Sequence, residues 1–216
     1  MAHYRSMIFD FDGTLADTLS ETRRIFNTLA PDYGIRTVEE EEIHALRHLS
    51  LKELLAHLKI PKRRVPVLIA RGTGMMRANI TNLPMIPGMS DVVRTLRRHC
   101  ECLGILTSNA SANVEAFLEC HGLIDHFDFV SSTSKLTGKA KHLKAIQKTF
   151  SLRSEELLYI GDELRDLKAS RKADVPMAAV TWGFNSKESL AAAKPDFLIE
   201  RPEDFLKLVA QPPHIT

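Results

Sequence analysis

Cysteine is scarce: Cys100, Cys102 and Cys120 are the three in 216 residues. An odd number without CxxC spacing argues against a disulfide framework and a cysteine-held structural zinc site, and leaves all three as small buried or half-buried residues. Long hydrophobic runs are missing as well, all falling well short of the roughly 20 residues a bilayer span requires. The opening Met1-Ala2-His3-Tyr4-Arg5-Ser6 has no signal-peptide core. The expectation is a cytoplasmic protein with no membrane partner. Net charge is nearly absent too, with 29 Lys and Arg against 27 Asp and Glu, a balance of +2. The basic residues are dispersed, which argues against nucleic acid as the main partner. What remains is a chain 44% hydrophobic, long enough for one sizeable core or for a core with a smaller appended domain.

Short apolar runs recur along most of that length. Met7-Ile8-Phe9, Leu103 to Leu106, Phe127 to Val130, Leu157 to Ile160, Met177 to Val180 and Phe197-Leu198-Ile199 read as strands. Helical spacing lies between them, in Val92, Val93 and Leu96, in Val114, Phe117 and Leu118 closed by Gly122, in Leu143, Ile146 and Phe150, and in Leu164 and Leu167. Strand alternating with helix predicts an α/β fold with a parallel sheet covered on both faces. In such sheets the ligand sits beyond the carboxyl ends of the strands. Those ends carry Asp10, Thr107-Ser108-Asn109, Ser131-Ser132, Gly161-Asp162 and Thr181-Trp182. Polar chemistry is thereby gathered at one edge.

Residues 16–84 follow another pattern. Leu19, Ile25, Phe26 and Leu29 suit one helix; Leu51, Leu54, Leu55 and Leu58 suit a second with Ser50 as N-cap. The segment reads as an all-helical insertion that rejoins the sheet near Pro84-Met85-Ile86-Pro87-Gly88. The predicted organisation is a core of residues 1–15 and 85–216 with a cap domain of residues 16–84, placed as a lid or as a purely structural insertion. Within the insertion, Arg71-Gly72-Thr73-Gly74-Met75-Met76 is expected to break or bend a helix. His44 and His48 share a helix face beside Glu41, with no evident third ligand, and read as surface histidines.

The first strand runs into FDFDGTLAD, which crowds Asp10, Asp12 and Asp17 together. Four matches in order then carry a resemblance: Asp10-Phe11-Asp12-Gly13-Thr14-Leu15, Thr107-Ser108-Asn109 after a strand, Lys139 opening a helix after Gly138, and Gly161-Asp162-Glu163-Leu164-Arg165-Asp166. The sequence resembles the haloacid dehalogenase superfamily, specifically its phosphatases with a small helical cap, such as phosphoglycolate phosphatases. The resemblance implies a Rossmann-like doubly wound core and a small phosphorylated metabolite as substrate. It leaves the oligomeric state open.

Phosphate esters are anionic, so their hydrolysis needs a nucleophile held in line, donors for the phosphoryl oxygens and a proton for the leaving group. A carboxylate can act as the nucleophile by forming an aspartyl phosphate. Asp10 is the candidate, with Asp12 as general acid and base; the resemblance assigns the same roles. Asp12-Gly13 also suits a simple turn, and Asp162 and Asp166 also suit a helix N-terminus. So many carboxylates beside a phosphate call for a cation, and hard oxygen donors favour Mg²⁺. By resemblance its ligands are Asp10, the Asp12 carbonyl, Asp162 and Asp166, with Glu163 either near the metal or on the helix surface. Thr107, Ser108 and Asn109 would donate to the phosphoryl group, and Lys139, or less aptly Lys141, would balance its charge. Arg47 matches a cap position that meets the distal part of the substrate. Asp17 falls at the hinge, as a helix cap or a linker clamp.

Alternatives stay open. The residue after Lys139 is Ala140, which excludes a Walker-type nucleotide site. Asp12 argues against dehalogenase or phosphonate-cleaving chemistry. A sugar-phosphate mutase would use the same aspartate pair, usually with a valine-type residue where Thr14 stands, and a catalytically idle binding module would be expected to lack one of the key aspartates. Selectivity is assigned to the cap and to Trp182-Gly183-Phe184.

Overall fold

The computed structural model describes residues 4–49, 51–133 and 138–209. β1 (Ser6–Phe9) is followed by α1 (Thr18–Leu29), α2 (Ile43–Leu46), α3 (Leu51–His57) and α4 (Val65–Ala78). Then α5 (Met89–Leu96), β2 (Cys102–Thr107), α6 (Ser111–Cys120), β3 (Phe129–Ser132) and α7 (Lys139–Thr149) alternate. β4 (Leu157–Gly161), α8 (Leu164–Ala173), β5 (Met177–Val180), α9 (Lys187–Ala192) and β6 (Phe197–Ile199) complete the chain order. The six strands form one parallel sheet in the order β3-β2-β1-β4-β5-β6.

Every residue of β1, β2, β4 and β5 is buried, the pattern of strands covered on both faces. Alternation sorts their side chains. Met7 and Phe9 enter one apolar cluster with Leu103, Ile105, Val93 and Phe117, while Ile8 enters the other with Leu106, Leu143 and Tyr159. Gly104 is required on β2, because a Cβ there would collide with the ring of Phe129. Strand order reverses between β1 and β4, so their carboxyl ends open a crevice where connections diverge.

Three sequence expectations need correction. The third strand begins at Phe129 rather than Phe127, since Phe127 follows a 3-10 turn at Ile124–His126 and the Asp128 carboxylate accepts from the Leu103 N–H at 2.8 Å. α4 runs without interruption through Gly72 and Gly74: a helical glycine costs only about 1 kcal/mol, and a Cβ at Gly72 would meet Ile25 of α1 at 3.7 Å, an ordinary contact. Cys120 is exposed, whereas Cys100 and Cys102 are buried.

Between β1 and α5 the chain holds helices and 3-10 turns, with no sheet strand among the described residues. Asp17 does both things expected of it. Its carboxylate accepts from the Ser20 N–H and hydroxyl as the N-cap of α1, and its own N–H donates to the Pro84 carbonyl at 2.9 Å, closing the base of the helical segment. The expected Ser50 cap lies outside the described residues. No described helix is long and apolar enough to cross a membrane.

Candidate active site

Asp10 follows β1 and is 2% exposed. Its N–H donates to the Ile160 carbonyl at 2.8 Å, which fixes the first residue past β1 against β4. Its Oδ1 accepts from the Phe11 N–H at 2.7 Å, and its Oδ2 accepts from Lys139 Nζ at 2.5 Å. Lys139 is the first residue of α7, buried, and also donates to Asp166 Oδ1 at 2.7 Å. Tyr159, on β4, donates its hydroxyl to the same oxygen at 3.2 Å. Asp166 Oδ2 accepts the Glu163 N–H, so the helix-cap reading of this residue holds as well as its place in the cluster.

Asp162 reaches the edge from the end of β4. Its Oδ1 accepts from the Thr14 hydroxyl at 3.1 Å and its Oδ2 from the Phe184 N–H at 2.6 Å. Glycines make this approach possible. Gly13, at φ +72°, would place a Cβ 2.5 Å from Asp162 Oδ2, Gly161 would place one 2.7 Å from Asp166 Oδ2, and a Cβ at Gly183 would overlap the Asp162 carboxylate.

Asp12 faces the same opening from the turn after β1, and Asn109 Nδ2 donates to both its oxygens at 3.3 and 3.4 Å. Thr107 ends β2, fully buried, with its hydroxyl accepting the Asn109 N–H at 2.9 Å. Asn109 is held by Ser132, which donates to its carbonyl, and by Asn113, which donates to its Oδ1. Ser108 is exposed beside it. Lys141 lies on α7, and the ammonium at the cluster is that of Lys139. Glu163 pairs with Arg165 at 2.5 Å, at the rim.

Burial raises the pKa of Asp10, to about 7, with Lys139 opposing and Asp166 and Asp12 adding to the rise. Burial also pushes up Asp12, which Asn109 pulls back, and raises Asp162 well above the ordinary range, with Asp166 and Asp10 contributing. Burial would lower Lys139, yet the carboxylates of Asp10 and Asp166 hold it well above its usual value. The cluster is therefore short of positive charge. Oxygens of Asp10, Asp162 and Asp166 lie within 4.8 Å of one another, all three residues buried, a set of hard donors that fits a small divalent cation.

Arg47 sits apart from this cluster. Its Nη2 donates to the carbonyls of Thr181 and Asn185 at 2.7 and 3.0 Å, and burial lowers its pKa. The side chain straps the helical segment to the loop after β5. Sequence reading passed over Tyr159, the bond from Thr14 to Asp162 and the Phe184 N–H. A tyrosine in an otherwise aliphatic buried strand was the signal for the first; nothing local marked the other two.

Above Asp12, Ser108 and Asn109 opens a cavity of about 480 Å³. Its walls come from α1, α3 and α4, chiefly Ile25, Phe26, Leu55, Leu68, Ile69 and Met76. No lysine, arginine or histidine lines it among the described residues.

With this geometry in view, the comparisons with known proteins agree. The pattern of the haloacid dehalogenase-like hydrolases matches residues 7–180. A phosphoglycolate phosphatase of Synechococcus elongatus is 36% identical over 207 residues, covering 96% of this chain and 98% of that protein. The pyrophosphatase PpaX of Bacillus cereus is 27% identical over 95% of this chain and 96% of its own length. A haloacid dehalogenase-like hydrolase of Streptococcus pneumoniae superposes with a TM-score of 0.81 over 96% of this chain and 99% of that one, at 22% identity, a likeness of fold. The chain belongs to the haloacid dehalogenase-like hydrolase family and stands among its phosphatases.

Proposed function

We propose that this enzyme hydrolyses a small phosphate monoester through an aspartyl phosphate on Asp10. The observation that carries the reading is the convergence of a buried carboxylate, Asp10, with a buried ammonium, Lys139, beside a second carboxylate, Asp12, that faces the cavity. An Asp10 oxygen attacks phosphorus, the bond from phosphorus to the ester oxygen breaks, and Asp12 delivers a proton to the departing alkoxide. Asp12 then takes a proton from the water that attacks the phosphoenzyme, releasing phosphate and restoring Asp10. Thr107, Ser108, Asn109 and Lys139 hold the phosphoryl oxygens. Asp10, the Asp12 carbonyl, Asp162 and Asp166 would hold Mg²⁺, which when bound supplies positive charge to the phosphoryl oxygens and to the carboxylates around them. Residues 16–84 serve as the cap, with Arg47 anchoring it to the core.

The cavity bears on the substrate. Phosphoglycolate, the substrate named for one relative, carries a second anionic group that the described lining has no cation to meet. An ester with an apolar body fits those walls better. Phosphate release is the test, using phosphoglycolate, pyrophosphate, a sugar phosphate and aryl and alkyl phosphates, each with Mg²⁺ and with EDTA. Metal-dependent release, fastest from the apolar esters, supports the reading in full. Release fastest from phosphoglycolate would overturn the substrate preference alone. No release from any ester by folded protein would overturn the phosphatase reading and turn attention to phosphoryl transfer between sugar hydroxyls.

A further inference from the structure

His44 and His48 meet a third donor from the far side of the chain. The backbone of residues 43–48 turns so that the two rings stack edge-on with centroids 5.2 Å apart. Opposite them stands Glu188 of α9, whose Oε2 is 3.7 Å from His48 Nε2. Ligand atoms of His44, His48 and Glu188 all lie within 4.8 Å of one another, on the protein surface. Hydrogen bonds hold the two segments together here: the Ser186 N–H donates to the Arg47 carbonyl at 3.3 Å, and the Arg47 side chain donates through Nη2 to the carbonyls of Thr181 and Asn185.

Hydrogen-bond accounting around Ser186 orients His48. The Ser186 oxygen accepts the Ser189 N–H at 3.2 Å as the N-cap of α9, and its hydroxyl donates to Ser189 Oγ at 3.0 Å. His48 Nδ1 lies 2.9 Å from that same oxygen. That contact leaves Nε2 facing the Glu188 carboxylate. A second partner that fixes the tautomer and aims the other nitrogen is the usual support of a histidine metal ligand.

We propose that His44, His48 and Glu188 form a second metal site, distinct from the aspartate cluster, that binds a zinc-like divalent transition ion and pins the helical segment to the sheet domain. Two imidazoles and a carboxylate suit Zn²⁺ in tetrahedral geometry with water as the fourth ligand. Tetrahedral donors at zinc stand about 3.3 Å apart, so the exposed side chains need to close by only a few tenths of an ångström at the His48 and Glu188 pair.

The test uses the full chain carrying Asp162→Asn, to cripple the aspartate cluster, stripped with EDTA and then titrated with Zn²⁺ against a chromogenic chelator. One zinc per chain is expected, bound at least about tenfold more weakly after His44→Ala or Glu188→Gln and unaltered by His99→Ala. Co²⁺ in place of Zn²⁺ should give visible bands of a four-coordinate centre that His44→Ala removes. Circular dichroism confirms folding, which surface substitutions should preserve. Zinc binding indifferent to both substitutions, or no binding in the chelator's range, would overturn the site. No turnover is measured, so failure here would leave the phosphatase reading untouched.

Discussion

At the sheet edge Asp10, Lys139, Asp162 and Asp166 are each no more than 3% exposed, and every one has a hydrogen-bond partner from a different element. In α4, fourteen residues long, no residue is buried, and Ile69 is 61% exposed beside the cavity. The edge is over-determined: each carboxylate has fixed donors, so in the proposed function charge is presented to a phosphoryl group without rearrangement. The helical segment buries a few apolar residues, such as Ile25, Leu29 and Ile35, carries exposed pairs such as Arg36 with Glu42 and Arg71 with Asp32, and offers an apolar surface that tolerates change. On the proposed reading, chemistry resides in the rigid part and recognition in the permissive one.

The sharpest way to break this comparison is Asp10→Asn. Loss of the nucleophile should lower kcat by at least about 10⁴-fold while the thermal midpoint changes by no more than a few degrees, because the amide keeps the volume and the Phe11 contact. Steady-state phosphate release and a melting curve check both halves. Near-normal turnover would mean that Asp10 is not the attacking group. Next in size is Gly183→Ala. A methyl group there displaces the Asp162 carboxylate, and a misplacement of about 1 Å can cost 10²-fold in rate. Ordinary activity at an ordinary Mg²⁺ requirement would show that the edge is softer than its hydrogen bonds imply.

How far the sequence could be read follows the same division. The strands and their order of chemistry were legible because each strand is a short apolar run ending in polar residues, and because Asp10, Asp12 and Gly13 are adjacent in the chain. What was not legible depends on partners far apart. Thr14 meets Asp162 across 148 positions. Gly183 is crowded by the side chain of Asp162, just past the end of β4, and a glycine in a loop reads the same whether or not space is tight. The helical segment was legible as helix, yet Gly72 and Gly74 suggested a break that packing against α1 does not require. His44 and His48 lacked a third donor in sequence because Glu188 arrives from α9.

A smaller effect is expected in the permissive part. Ile69→Asp puts a charge on the apolar wall, and KM for an aryl phosphate should rise by up to about tenfold, with kcat changed little. An equal fall in kcat would mean that the wall shapes the transition state, and the separation of chemistry from recognition would fail.

The smallest effect concerns two carboxylates with the same titration. Glu156 and Glu42 are both held at about 2 against an ordinary 4.5, the first by Arg153 and Arg5, the second chiefly by Arg36. A depressed carboxylate contributes stability that is fully present above 4.5 and is lost as the pH falls through about 2. The two differ in reach. Arg5 and Glu156 are 151 positions apart and join the chain before β1 to the start of β4, with Glu101 before β2 on the same guanidinium. Arg153 and Glu156 are three positions apart and Arg36 and Glu42 six, close enough for both pairs to persist in the unfolded chain and cancel, which leaves the Arg5 contact as the difference. The difference in thermal midpoint between wild type and Glu156→Gln should therefore hold steady above pH 4.5 and vanish toward pH 2, while Glu42→Gln should track wild type throughout. If both variants behaved alike, the greater cohesion of the sheet domain would have to come from its apolar core alone, and the surface pairs of the two regions would be equivalent.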